Sequence, residues 1–122
     1  SRFVATPESS GHENFKNKVV EANEGDTILT LKTLTPVRLI KNNFYAKVAE
    51  AEQKGADVDE LKQLLGKARA KKGMYEGDID EGELEIGQVS GLIHEIKPAE
   101  EVLEEIIHEF NLTCHNLGKL QF

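Results

Sequence analysis

The apolar positions of this chain fall into short stripes rather than long runs, and their spacing predicts a mostly helical molecule. Phe15, Val19 and Val20 recur at helical intervals within His12 to Ala22, which predicts a short amphipathic helix after the polar turn from Thr6 to Gly11. Asp26-Thr27-Ile28-Leu29-Thr30-Leu31 is apolar and β-branched and follows Gly25, the signature of a short strand. Pro36 restarts the chain. Leu39, Ile40, Phe44, Val48 and Ala51 then recur at threes and fours, predicting a helix from Val37 to about Gln53 with a break at Asn42-Asn43. Asp57 with Glu60 three residues on is the reciprocal capping pair of a further helix, and Leu61, Leu64, Leu65 and Ala68 share its inner face. Lys67, Arg69, Lys71 and Lys72 complement its C-terminal dipole. Gly73 to Gly82 is expected as loop, and Leu84 to Ile93 as a turn into helix around Gln88. Pro98 suits a first helical turn, and Val102, Leu103, Ile106, Ile107 and Phe110 form the clearest amphipathic stripe in the sequence. From Leu112 to Phe122 the pattern weakens, although Leu117, Leu120 and Phe122 remain apolar.

Composition narrows what such a molecule does. A length of 122 residues amounts to one domain, too small to enclose a large cofactor in a barrel of its own. Asp and Glu number 22 against 15 Lys and Arg, a net charge of −7, which argues against a phosphate-backbone partner. Cys114 is the single cysteine, so no intramolecular disulfide forms, and zinc-type spacing is missing; a reducing cytoplasm fits. No apolar run is long enough to span a bilayer, and neither a membrane nor a nucleic acid is expected as partner. His12 sits at a helix start and is expected to cap it, while His94, His108 and His115 are too scattered for a metal site.

Chemistry concentrates between Gly77 and Ile93, where an acidic, glycine-punctuated loop runs into an apolar segment carrying the uncharged Gln88. Glycine allows close backbone approach and positive φ, and a glutamine amide both donates and accepts, which suits a heteroaromatic edge. A plain loop-to-helix packing turn is the competing reading. Asp78, Asp80, Glu81, Glu83 and Glu85 invite a calcium site, but Gly82 falls one place early and Val89 stands where the closing Glu belongs, leaving an exposed acidic loop. Cations and amides suit phosphate oxygens, which singles out Arg38, Lys41 and Asn42 as substrate-side candidates against a solvated helix face.

Four local patterns, in order, resemble the C-terminal part of the flavin-dependent enoyl-acyl-carrier-protein reductase II and nitronate monooxygenase family. Ser1-Arg2-Phe3-Val4-Ala5, which also looks like the tail of a buried strand, resembles its Gly-Thr-Arg-Phe segment. Gly11-His12-Glu13-Asn14-Phe15-Lys16 is similar to its His-x-x-Tyr/Phe-Lys helix start. Asp26-Thr27 with Pro36-Val37-Arg38-Leu39-Ile40-Lys41-Asn42 is similar to its Asp-Thr and Val-Arg-x-Ile-Lys-Asn. Gly77 to Ile93 resembles its Gly-Asp-x-x-x-Gly-x-x-x-x-Gly-Gln-x-x-Gly-Leu signature. The chain departs from the family at Ser1, usually Thr, and at Glu83-Leu84-Glu85-Ile86, where reductases carry a small polar residue and a methionine.

The resemblance implies an α/β protein, with this chain a predominantly helical C-terminal fragment of a (β/α)8 TIM barrel. Residues 1–25 would be the end of the last barrel strand with the following turn and helix. Residues 26–80 would be a mostly helical lid insertion, and residues 81–122 the return to the barrel with its closing helices. It further implies FMN as cofactor, held by Ser1, Arg2, Gly87, Gln88, Ser90 and Gly91, with NADPH or NADH as reductant. The expected activity is reduction of the enoyl double bond of acyl-carrier-protein thioesters in fatty-acid synthesis, in a homodimer. Oxidation of alkyl nitronates is the alternative within the family, and a non-enzymatic acidic helical module that binds a protein partner is the alternative outside it. The family's catalytic histidine and glycine-rich phosphate loop lie upstream of Ser1, so no catalytic residue is expected here and this chain alone should not turn over.

Overall fold

The computed structural model describes residues 1–121; the apolar Phe122 of the expected tail lies outside them. Helices predominate, as the stripes predict. In chain order the elements are α1 (Glu13–Glu21), β1 (Thr27–Thr30), β2 (Val37–Ile40), α2 (Asn43–Gln53), α3 (Val58–Leu65) and α4 (Ala99–Leu117). Short 3-10 turns at Arg2–Val4 and Gln88–Leu92 and a π-type turn at Lys71–Tyr75 complete it.

The opening residues are not a strand tail. Arg2–Val4 winds into a single 3-10 turn closed by the Val4 amide on the Ser1 carbonyl at 3.0 Å. His12 caps α1 through its side chain, with Nδ1 accepting from the Asn14 amide at 3.1 Å.

The stretch expected as one helix from Val37 splits in two. Val37–Ile40 pairs antiparallel with β1, Thr27 opposite Ile40 and Thr30 opposite Val37. The helix begins only at Asn43, because the Asn42 side chain accepts from the Tyr45 amide at 2.9 Å and caps it. The period misleads here because Leu39 and Ile40 are both buried but on opposite faces of a strand, which mimics a helical i, i+1 edge. Leu39 joins Leu31, Phe44, Val48 and Leu61 in one core, whereas Ile40 joins Ala5, Phe15, Val19, Leu84, Ile86 and Ile93 in a second. Strand β2 is thus the partition between them. Leu84 to Ile86 runs extended along its free edge, with the Ile40 amide donating to the Leu84 carbonyl and the Ile86 amide to the Arg38 carbonyl.

Helix α3 carries the full reciprocal cap of Asp57 and Glu60. It ends at Leu65, ahead of Ala68, because Gly66 takes φ 66 and turns the chain. The basic residues expected on its last turn therefore lie beyond it, yet Arg69 folds back to donate to the Leu64 and Leu65 carbonyls at 3.0 Å each. The described residues contain one antiparallel hairpin and no parallel strand pair. No helix among them is long and apolar enough to cross a membrane.

Candidate functional site

Polar side chains and two close-packed glycines fasten the α2–α3 segment to the stretch from Gly77 to Ile86. Both N–H bonds of the Asn42 amide are spent on the Ile79 and Gly82 carbonyls, at 2.9 and 2.8 Å. Arg69 donates to the Glu81 carbonyl at 3.0 Å, and its guanidinium lies 4.9 Å from the centroid of the Phe44 ring. Gly82 sits against Gly73 so closely that an added Cβ would come within 2.1 Å of the Gly73 Cα, a contact only glycine permits. Asp78 accepts from the Glu81 and Asp80 amides, and the Glu81 amide together with Lys72 holds its carboxyl below the ordinary range.

The acidic loop is not uniformly exposed. Glu83 is buried, and Gly73 packs directly against its backbone and the Leu84 side chain. Burial pushes its carboxyl up to about 7, Glu85 adds to the rise, and Arg69 partly opposes it.

Beyond this junction the chain reaches Gly87 and Gln88, both exposed. Here the returning loop meets the opening turn: an added Cβ on Gly87 would stand 3.2 Å from the Ser1 hydroxyl. Gln88 and Gly91 line a cavity of about 630 Å³ shared with Glu24, Gly25, Thr27, Arg38, Val89 and Leu92. The cavity forms because the Gln88–Leu92 turn packs on the end of α1, where an added Cβ on Gly91 would stand 3.2 Å from the Asn23–Glu24 backbone. Arg38 is held there by Thr27, whose carbonyl and hydroxyl accept from one guanidinium nitrogen at 2.9 and 3.2 Å.

The remaining candidates are distributed differently. Lys41 opens on a separate cavity of about 250 Å³ with Lys18, Glu21 and Asp26. The Asn42 side chain has no N–H left for a ligand. Arg2 forks onto Glu109 of α4 at 3.0 and 3.1 Å, so its charge ties the opening turn to the last helix. Ser90 is fully buried and its hydroxyl has no partner among the described residues. Gly91 serves both as cavity wall and as the close contact to α1. Sequence reasoning missed Thr27 as the anchor of Arg38, although the Asp26-Thr27 dipeptide was there to mark it. It also missed the burial of Glu83, for which alternation with Leu84 and Ile86 signals the opposite.

Exposed backbone at Ser1 and Gly87 beside a free glutamine amide is a donor set that fits the phosphate and ring edge of a flavin nucleotide. Two solved structures resemble the whole arrangement. FabK from Thermotoga maritima shares 35% identity with a TM-score of 0.85, over 95% of this chain and 37% of that one. A single-site mutant of the same protein gives 33% and 0.76, over 95% and 34%. The chain spans just over a third of their length. A family model described as nitronate monooxygenase matches residues 1–109. The chain belongs to the nitronate monooxygenase family, whose members are flavin-dependent oxidoreductases.

Proposed function

We propose that this chain is the flavin-contacting, lid-bearing portion of an FMN-dependent, NAD(P)H-using oxidoreductase that reduces the enoyl double bond of acyl-carrier-protein thioesters. The observation that carries it is the meeting of Ser1 with Gly87, which joins residues 86 positions apart beside the Gln88 cavity. Ser1 and Gly87 would offer backbone to the cofactor phosphate, and Gln88 would present its amide to the ring edge. What FMN supplies when bound is hydride transfer between a reduced nicotinamide and an acceptor. The residues of this chain bind and orient; the proton donor to the substrate is assigned to the part of the protein outside it. The likeness to FabK favours the enoyl reductase branch, and the family description favours nitronate oxidation as the second reading.

Purified at its natural length, the protein should be yellow with a flavin absorption band. Anaerobic reduction by NADPH followed by reoxidation with crotonyl thioester should proceed. A colourless preparation would sink the flavoenzyme reading, and one active only in nitronate-driven oxygen uptake would transfer it to the second branch.

A further inference from the structure

The cations of the candidate site differ in what already neutralises them. Arg2 is matched by Glu109, and Arg69 is consumed by three carbonyls and the Phe44 ring. Arg38 is half-buried, and no ion pair to it occurs among the described residues. Its one anchored nitrogen bonds only the neutral Thr27, which leaves the other nitrogens of the fork undirected toward any described protein acceptor. A partly desolvated cation lacking a carboxylate is costly to maintain, and the cost falls when an anion is taken up. The same side chain lines the cavity of about 630 Å³ that Gln88 enters, roomy enough for part of a nucleotide-sized ligand.

We propose that Arg38 is the recognition point for a phosphate ester of the co-substrate, held in the cavity between the β1–β2 hairpin and the Gln88–Leu92 turn. Thr27 orients the guanidinium from one side, so the remaining N–H bonds face a fixed direction and bind a phosphate as a fork. Lys41 and Asn42 take no part, the first because it borders another cavity and the second because its amide is spent. Glu24, which lines the same cavity with no hydrogen bond among the described residues, opposes any anion there and sets an upper bound on affinity. The identification of the anion as a co-substrate phosphate rests on the flavoenzyme reading. The phosphate could belong to the nicotinamide donor or to the pantetheine arm of the carrier; the chemistry at Arg38 is the same.

The test is calorimetric titration of the natural-length protein, its flavin content recorded beforehand, with NADP+, NAD+ and phosphopantetheine. At least one probe is expected to bind saturably, and Arg38→Gln is expected to weaken it by about tenfold or more. The probe that loses affinity identifies the source: NADP+ alone points to the extra phosphate of the dinucleotide, both dinucleotides to its pyrophosphate, and phosphopantetheine to the carrier arm. Because Arg38→Gln also releases Thr27, Glu24→Gln provides the second variant, and it should tighten the same probe. Binding of no probe, loss of less than about twofold in Arg38→Gln, or no gain in Glu24→Gln overturns the proposal. A yellow protein indifferent to both variants sinks the Arg38 assignment alone. A colourless protein in which both behave as stated keeps the anion site and loses the flavoenzyme reading.

Discussion

The α2–α3 pair and the last helix are both built from amphipathic stripes of similar clarity, yet they end in opposite situations. In α2 and α3 the stripe is covered: Phe44 and Val48 are fully buried and Leu61 nearly so, and Asn42, Arg69 and the Gly73–Gly82 contact lock the pair to the Gly77–Ile86 stretch. In α4 only Val102 is buried, while Leu103, Ile107 and Phe110 stay 53%, 52% and 66% exposed. Helix α4 is held to the Arg2–Val4 turn through Arg2–Glu109, and its first residue to the following turn through the Ala99 amide donating to Glu8. The contrast teaches that a stripe's strength in sequence states how much it wants cover, and says nothing about whether this chain supplies it. It also shows that Asn42 and Arg69, at the two ends of the α2–α3 segment, spend their polar groups on the chain itself.

The sharpest break of the contrast is Gly82→Ala. With the Gly73 backbone 2.1 Å from the new Cβ, main chain meets main chain and the contact cannot be relieved by a side-chain shift, so destabilisation of more than about 4 kcal/mol is expected in urea unfolding. A loss under about 1 kcal/mol would mean that the junction gives way easily. Next is Asn42→Ala, which leaves two carbonyls and the α2 cap unpaired and should cost about 2–4 kcal/mol.

Glu83 gives the junction a pH dependence with a definite sign. Its folded-state pKa is raised from 4.5 to about 7, so folding favours the protonated form; the associated stability is complete below about 4.5 and is lost as pH rises through about 7. Glu83→Gln should therefore leave the unfolding free energy nearly unchanged at low pH and raise it at pH above about 8, by about 1–2 kcal/mol once partial hydration is allowed for. A variant less stable than the parent at high pH would show that the carboxylate is paired rather than stranded. The smallest effect on stability is expected in α4, where Ile107→Glu with Phe110→Glu should change unfolding by less than about 0.5 kcal/mol. The uncovered apolar face should make the isolated chain self-associate in sedimentation, and the same pair should abolish that association.

Local signals were legible wherever a residue acts on its own neighbours. The Asp57 and Glu60 cap, the His12 cap and the Thr27–Thr30 strand follow from side chains meeting backbone a few residues away. The split at Asn42 was half legible, since the asparagine pair marked a boundary but the strand before it needed β1 as a partner. At the site, the glycine-rich signature pointed to the right segment. It did not show that Gly82 is required by Gly73, that Ser90 turns inward, or that Asn42 is spent on the main chain.

Sequence alone therefore determined the longer helices, the first strand, the Asp57–Glu60 and His12 caps and the family, because those depend on short-range periodicity, on side chains reaching their own backbone, and on motif order. Tertiary structure alone decided that Leu39 and Ile40 serve different cores, that Glu83 is shielded from water, and that Ser1 and Arg38 both stand near Gln88. Each of these rests on contacts between segments tens of residues apart, and burial or proximity of that kind is a property of the packed whole that no local pattern encodes.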